Sequence, residues 1–201
     1  MKILGLCGGS GSGKGYVSRI FASYGIPSID TDEIYRELTS QCSDCLLELS
    51  REFGEKIITK DGALDRAAMR ALAFSGDNSE YNRKRLNEIA HKHVLASVRE
   101  RLNLFSSKGV EAVLVDAPLL FESGFDKECD KIICVSAPTE LRVRRIMERD
   151  GIAREAALAR ISAQLSDSDL AARSDFLIRN DGDCDRLYRD IAEILAVISE
   201  K

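Results

Sequence analysis

Tryptophan is absent from this chain of 201 residues, and aromatic side chains make up only 6% of it. The few present are not interleaved with basic clusters, so the usual signature of a nucleic-acid surface is missing. A basic excess is missing too: formal net charge is −4, and no global positive field favours nucleic acid or an acidic membrane. No apolar run is long enough to span a bilayer. The N-terminus enters a strand pattern without a charged n-region and apolar h-region, so the expected location is the cytoplasm. Cysteine is not scarce, at six, but Cys42-Ser43-Asp44-Cys45 lacks a second pair at the spacing zinc would need. The thiols therefore read as reduced, with Cys7 and Cys134 as small hydrophobes in apolar strands. Repeats and low-complexity tracts are also absent. What remains, 44% hydrophobic and 31% charged residues, describes a globular chain of one domain, or one domain with a sizeable insertion.

The start of the chain carries the most information. Lys2-Ile3-Leu4-Gly5-Leu6-Cys7 suits a buried strand, Gly8-Gly9-Ser10-Gly11-Ser12-Gly13-Lys14 follows, and Tyr16 to Tyr24 is helically amphipathic. Strand, Gly-x-x-x-x-Gly-Lys and helix, in that order, make a P-loop. Its glycines let backbone N–H groups wrap phosphate oxygens, the helix N-terminus adds its positive dipole end, and Lys14 reaches the outer phosphates. The plainer alternative is a glycine-rich turn that holds no ligand. One position departs from the pattern. After the lysine a Ser or Thr hydroxyl usually meets Mg²⁺, but here Gly15 and then Tyr16 follow. The expectation is metal–nucleotide binding weaker by about 1–2 kcal/mol, the scale of one polar contact.

Further strands are expected at Ile26 to Asp30, Val110 to Asp116, Lys131 to Ser136 and Asp175 to Arg179. Continuous apolar runs such as Ala112-Val113-Leu114-Val115 suit a parallel sheet covered on both faces. Between the second and third strands the periodicity is helical. Ser43 caps a helix bearing Leu46, Leu49 and Phe53 and ending at Gly54; another lies around Arg66 to Phe74, and Leu86 through Phe105 forms a long stripe. A last amphipathic helix carries Leu187, Ile191, Ile194 and Ile198. The expected fold is an α/β three-layer sandwich, with residues 33–109 as a helical insertion and 139–165 as a lid-like pair of helices broken at Gly151.

In open α/β sheets, ligands lie beyond the carboxyl ends of the strands. Asp30-Thr31-Asp32 follows the second strand, where a carboxylate can take the proton of an acceptor hydroxyl. Asp32 is favoured for this; the plainer reading makes either aspartate the cap of a helix whose first turn begins at Glu33. Asp116 ends the third strand, the place of an acidic residue that holds Mg²⁺, here through water; its alternative is a strand-end cap before Pro118. Arg142, Arg144, Arg145, Arg149, Arg154 and Arg160 make the lid-like segment net positive. Lid cations neutralise transferring phosphoryl charge, although a solvated helix face explains most of the six. His91 and His93, two apart, point to different helix faces.

Taken together these elements resemble the dephospho-coenzyme A kinase family. Gly5 through Lys14 is similar to its P-loop, Asp30-Thr31-Asp32 to its Asp-Ala-Asp element, and Gly62-Ala63-Leu64-Asp65-Arg66 to its Gly-x-Leu-Asp-Arg turn. Leu86 to His91 is similar to its Leu-Asn-x-Ile-x-His segment, and Asp116-Ala117-Pro118-Leu119-Leu120-Phe121-Glu122-Ser123-Gly124 resembles its most distinctive signature. Arg145, Arg149 and Gln164 match the lid pattern, and Ser174 to Gly182 the closing strand and base-binding loop. The resemblance implies a P-loop kinase with a five-stranded parallel sheet that uses ATP and Mg²⁺ to phosphorylate the ribose 3′-hydroxyl of dephospho-CoA. It implies Asp32, Lys14 and Arg145 as catalytic residues. ATP contacts are implied at Gly9, Ser10, Gly11, Ser12, Gly13, Lys14, Gly15, Tyr16, Arg145, Arg149, Asn180 and Gly182. The substrate side takes Asp32, His91, Leu119, Leu120, Phe121 and Glu122. Gly15, Lys92 in place of a usual proline, and Leu170 in place of a common basic residue depart from the family pattern. The alternatives are another small-metabolite or nucleotide kinase on this scaffold, or a nucleotide-binding protein that has lost catalysis.

Overall fold

The structure is a computed structural model in which the described residues are 1–199, apart from the side chain of Phe74. The strands are β1 (Lys2–Cys7), β2 (Ser28–Asp30), β3 (Ala112–Asp116), β4 (Lys131–Ser136) and β5 (Phe176–Arg179), in the order β2-β3-β1-β4-β5. Pairing of β1 with β3 and β4, and of β4 with β5, is parallel, with Leu6 beside Asp116 and Ile133, and Cys7 beside Cys134. The central place of β1 sets its C-terminal loop in the middle of the sheet's carboxyl edge, flanked by the ends of β3 and β4.

Alternate residues of each strand face opposite sides of the sheet. Leu4 and Leu6 of β1, with Leu114, Ile133, Val135 and Ile178, pack against Val17, Ile20 and Phe21 of α1 (Lys14–Ser23) and Leu187, Ile191 and Ile194 of the last helix. On the other side, Gly5 lies so close to Leu120 that a Cβ there would stand 3.0 Å from it. Three strands begin later than the apolar pattern suggests, β2 among them, at Ser28 rather than Ile26. Val110 lies in the turn that closes the preceding helix, its N–H donating to Phe105 O at 3.1 Å, so β3 starts only at Ala112. Asp175 uses its carboxylate to accept from Ile132 N–H at 2.8 Å, and β5 starts at Phe176.

Two compact units are present: Met1–Ile29 with Phe105–Lys201, which carries the sheet, and Asp30–Leu104. The second is helical: α2 (Thr31–Ser40), α3 (Asp44–Phe53), α4 (Arg66–Phe74) and α5 (Ser79–Ser107), whose last residues pass into the first unit. Each of the first three starts at a side-chain cap. Asp30 accepts from Asp32 and Glu33, Ser43 from Leu46, and Asp65 from Ala67 and Ala68. This unit has its own core, built on Cys45, Leu46, Leu49, Phe53, Met69 and Ile89.

The net-positive segment folds as α6 (Thr139–Asp150) and α7 (Arg154–Ser162), with the break at Gly151, and continues into α8 (Asp167–Ala172). The last helix is α9 (Cys184–Ser199). Among the described residues no helix is long and apolar enough to cross a membrane.

Candidate active site

Residues 8–13 run from the end of β1 to the N-cap of α1, where Tyr16 N–H donates to Gly13 O at 2.9 Å and the N–H groups of Lys14 and Gly15 precede the first helical bond. Hydrogen bonds to the outer carbonyls hold the loop. Arg142, only 3% exposed, donates from Nε to Ser10 O at 2.8 Å and from Nη1 to Asp167 Oδ1 at 2.7 Å. One turn along α6, Arg145 donates from Nη1 to Gly11 O and Ser12 O, both at 3.2 Å, and from Nη2 to Asn180 Oδ1 at 3.3 Å. Asn180, buried in the loop after β5, donates from Nδ2 to Ser12 O at 2.8 Å. Three successive carbonyls are held by cationic or amide donors, and Ser12 N–H donates to Gly9 O at 3.1 Å, so the N–H groups of Gly11 and Gly13 are the ones left to line an anion cradle. Burial, and then the nearby Arg144, lower the pKa of Arg145 from its ordinary value.

Two of the glycines follow from this contact. A Cβ on Gly9 would lie 2.2 Å from the Arg142 guanidinium, and one on Gly13, where φ is +93°, would lie 2.0 Å from Asn180 Nδ2. Gly15 is different: a Cβ there would meet only Arg19 Nη1, at 3.9 Å, so packing does not require the missing side chain. Lys14 turns back to donate to Gly8 O at 3.1 Å, and its Nζ lies 4.0 Å from Asp116 Oδ1 at the buried end of β3. Ser12 Oγ is buried with no hydrogen-bond partner among the described residues. Tyr16 is exposed on the first turn of α1 with the Arg19 guanidinium 5.8 Å from its ring centre; Tyr188 and Cys184 raise its hydroxyl pKa.

A cleft of about 70 Å³ opens beside Gly8 and Gly9, with Leu119, Glu122, Gln164 and Leu170 in its walls. The substrate-side group divides here. Leu119 is 41% exposed and lines the cleft with Glu122, whereas Leu120 is 1% exposed and packs under β1 beside Gly5. Leu120 is thus a core residue of this unit. The Phe121 ring is covered by the Arg173 guanidinium, 3.9 Å from its centre. Arg149 is largely exposed and pairs with Asp150, whose carboxyl it holds down to about 2 with help from Arg160. Gly182, beyond Asn180, has open space where a Cβ would be.

In the helical unit, Asp30 is the cap of α2: its Oδ1 accepts from Asp32 N–H at 2.8 Å and Glu33 N–H at 3.1 Å. The helix therefore begins at Thr31, two residues before the expected first turn at Glu33. Asp32 stands exposed in that first turn. His91 is half-buried on α5, and His93 Nε2 meets Glu48 Oε2 at 2.7 Å. Cys45 is buried, which pushes its thiol up to about 11, and all six cysteines are free.

Sequence reasoning alone did not single out Arg142 or the short helix α8. Arg142 and Arg145 are three apart and share a face of α6, but nothing in the spacing says which arginine is buried. For α8 a signal existed: Ser166 is a side-chain N-cap three residues before Asp169, whose N–H donates to Ser166 Oγ at 3.1 Å.

Residues 2–186 match the family model for dephospho-CoA kinase. The dephospho-CoA kinase of Corynebacterium diphtheriae is 40% identical over 194 residues, covering 96% of either chain. Among solved structures, TT1252 from Thermus thermophilus superposes with a TM-score of 0.82 at 32% identity, over 99% of this chain and 98% of that one. Dephospho-CoA kinase from Campylobacter jejuni gives 0.71 at 27% identity, with the same coverage. A shikimate kinase from Acinetobacter baumannii, 17% identical over all of this chain and 96% of its own, shares the fold with a TM-score of 0.56. The chain belongs to the dephospho-CoA kinase family.

Proposed function

We propose that this chain transfers the γ-phosphoryl group of ATP to the ribose 3′-hydroxyl of dephospho-CoA, giving coenzyme A and ADP. A bond forms between the 3′-oxygen and Pγ, and the bond from Pγ to the β,γ-bridging oxygen breaks. The hydroxyl proton passes to Asp32 and from there to solvent. The observation that carries the reading is the braced cradle of residues 8–14, in a chain that belongs to this family. Preorganised donors act without reorganising as charge develops, which makes them effective in phosphoryl transfer.

Lys14 and Arg145 serve the phosphates in this reading, with Ser12 and the first-turn amides of α1; Asn180 and Gly182 lie on the base side. Arg145 reaches phosphate by exchanging its loop carbonyls for phosphoryl oxygens, the residues 139–165 acting as a lid. Residues 33–109 bind the acceptor, with Asp32 as base and His91 on the substrate side, and Leu119 and Glu122 contribute from their cleft. Mg²⁺ suits the donor set. The described residues hold no cluster of three or more His, Cys, Asp or Glu that could hold a metal, but Asp116 is a buried carboxylate beside the phosphate lysine. One carboxylate, waters and phosphate oxygens are the usual shell of this ion, so Asp116 would hold it, directly or through water. The ion would neutralise phosphate charge. Six free thiols suit a reducing cytoplasm.

The test is a steady-state assay of the purified chain with Mg-ATP and dephospho-CoA. Conversion to coenzyme A is expected, and Asp32→Asn should abolish nearly all kcat with modest change in ATP affinity. A fully active Asp32→Asn enzyme removes the proposed base; no transfer by the wild type removes the function.

A further inference from the structure

Gln164 sits in the turn between α7 and α8, and its Oε1 accepts from the Ser10 N–H at 2.7 Å. Ser10 O is taken by Arg142. Both main-chain groups at the tip of the loop are thus fixed by the lid segment. Because Ser10 offers a donor, the Gln164 amide must present its oxygen there, which settles the orientation of the group. Its Nε2 makes no hydrogen bond to any described residue, and the side chain lines the cleft beside Gly8 and Gly9. Much of that wall is apolar, with Leu119 and Leu165 each more than a third exposed.

A tether to Ser10 alone needs only an acceptor. A carboxylate would bind the N–H more strongly, but it would add negative charge where the phosphates gather. A neutral amide pinned by its oxygen offers two N–H donors instead. We propose that Gln164 Nε2 donates a hydrogen bond to an oxygen of the phosphoryl group in transit, aimed by the contact of Oε1 with Ser10. This rests on the phosphoryl transfer proposed above. A donor that meets charge developing in the transition state lowers kcat when lost, with less effect on ground-state binding.

The experiment measures kcat with dephospho-CoA and the ATP Kd for wild type, Gln164→Ala and Gln164→Glu, with thermal melts to confirm folding. Gln164→Glu keeps size and tether, so it remains informative even if the alanine variant unfolds. The expected result is a kcat roughly 10- to 100-fold lower in both variants, below the roughly 10²–10³-fold of a lost oxyanion-hole donor. ATP Kd should stay within about threefold in Gln164→Ala, and rise in Gln164→Glu, whose charge faces the phosphates. A kcat within threefold of wild type, a loss carried wholly by ATP Kd, or tighter ATP binding by Gln164→Ala would each overturn the assignment. If the wild type ignores dephospho-CoA, the function reading fails instead. The same kcat ratios, read from slow ATP hydrolysis to water, then decide the role of Gln164.

Discussion

Replacing Arg142 with methionine tests whether α6 holds the phosphate loop. Methionine keeps much of the apolar stem and removes the guanidinium. Ser10 O then loses a charge-assisted bond of 2.8 Å in a part-buried place, a loss of about 1.5–3 kcal/mol. Asp167 also loses its partner, but its side chain is 34% exposed, so water replaces the guanidinium at a cost below about 1 kcal/mol. Against these stands the relief of no longer burying a cation. The net expectation is about 2 kcal/mol of lost stability, which lowers Tm by about 4–8 °C in a chain of this size. The Ser10 peptide is also freed to turn, so ATP affinity should fall about 5- to 30-fold, the equivalent of one to two kcal/mol. Thermal melts followed by circular dichroism and equilibrium ATP titration read the two effects. Asp167→Asn is the control, expected to move Tm by less than a third as much. An Arg142→Met protein with unchanged Tm and unchanged ATP Kd would refute the claim that this arginine shapes the loop.

Gly15→Ser should fold normally, since a Cβ there meets only the far end of Arg19 at 3.9 Å. Its hydroxyl should strengthen Mg²⁺-dependent ATP binding by about 1–2 kcal/mol, read as ATP Kd with and without the metal; an unchanged Mg²⁺ dependence would show that Gly15 does not limit metal binding. Asn180→Ala removes bonds to Ser12 O and Arg145 at once, and should cost about 1–3 kcal/mol of stability and raise the KM for ATP. Thiol titration of the native protein at pH 8 should find Cys42 and Cys184 fast. Cys45 and Cys129, pushed up to about 11 and about 12 chiefly by burial, hold almost no thiolate at that pH. Their labelling should speed up only as pH rises or the chain unfolds, and equal rates for all six thiols would contradict the burial described here.

Local chemistry explains which parts of this protein can be read from its residues. Ser43 and Gly54 bound α3 because a cap acts within its own turn. The apolar run before Gly8 is a strand because it is buried on both faces. The Gly-x-x-x-x-Gly-Lys spacing makes a phosphate loop because the loop's hydrogen bonds to α1 are sequence-local, as with Tyr16 N–H to Gly13 O at 2.9 Å. Other positions had no local signature. Asp30 and Asp32 are chemically alike, and the start of α2 at Thr31 alone makes the first the cap. Leu119 and Leu120 are identical residues, one in a cleft and one in the core, because the turn they share aims only Leu120 at Gly5.

The sequence by itself determined a parallel α/β sheet, a phosphate loop after its first strand and a long helical excursion, since apolar period, caps and glycine spacing act over a few residues. Only the tertiary structure decided which arginines brace the loop, because Arg142 and Arg149 differ in neither type nor helix. They differ in distance from residues 10–12, contacts that lie more than 130 positions away in the chain. Long-range packing, which no local pattern encodes, turned one of them inward to Ser10 and left the other paired with Asp150.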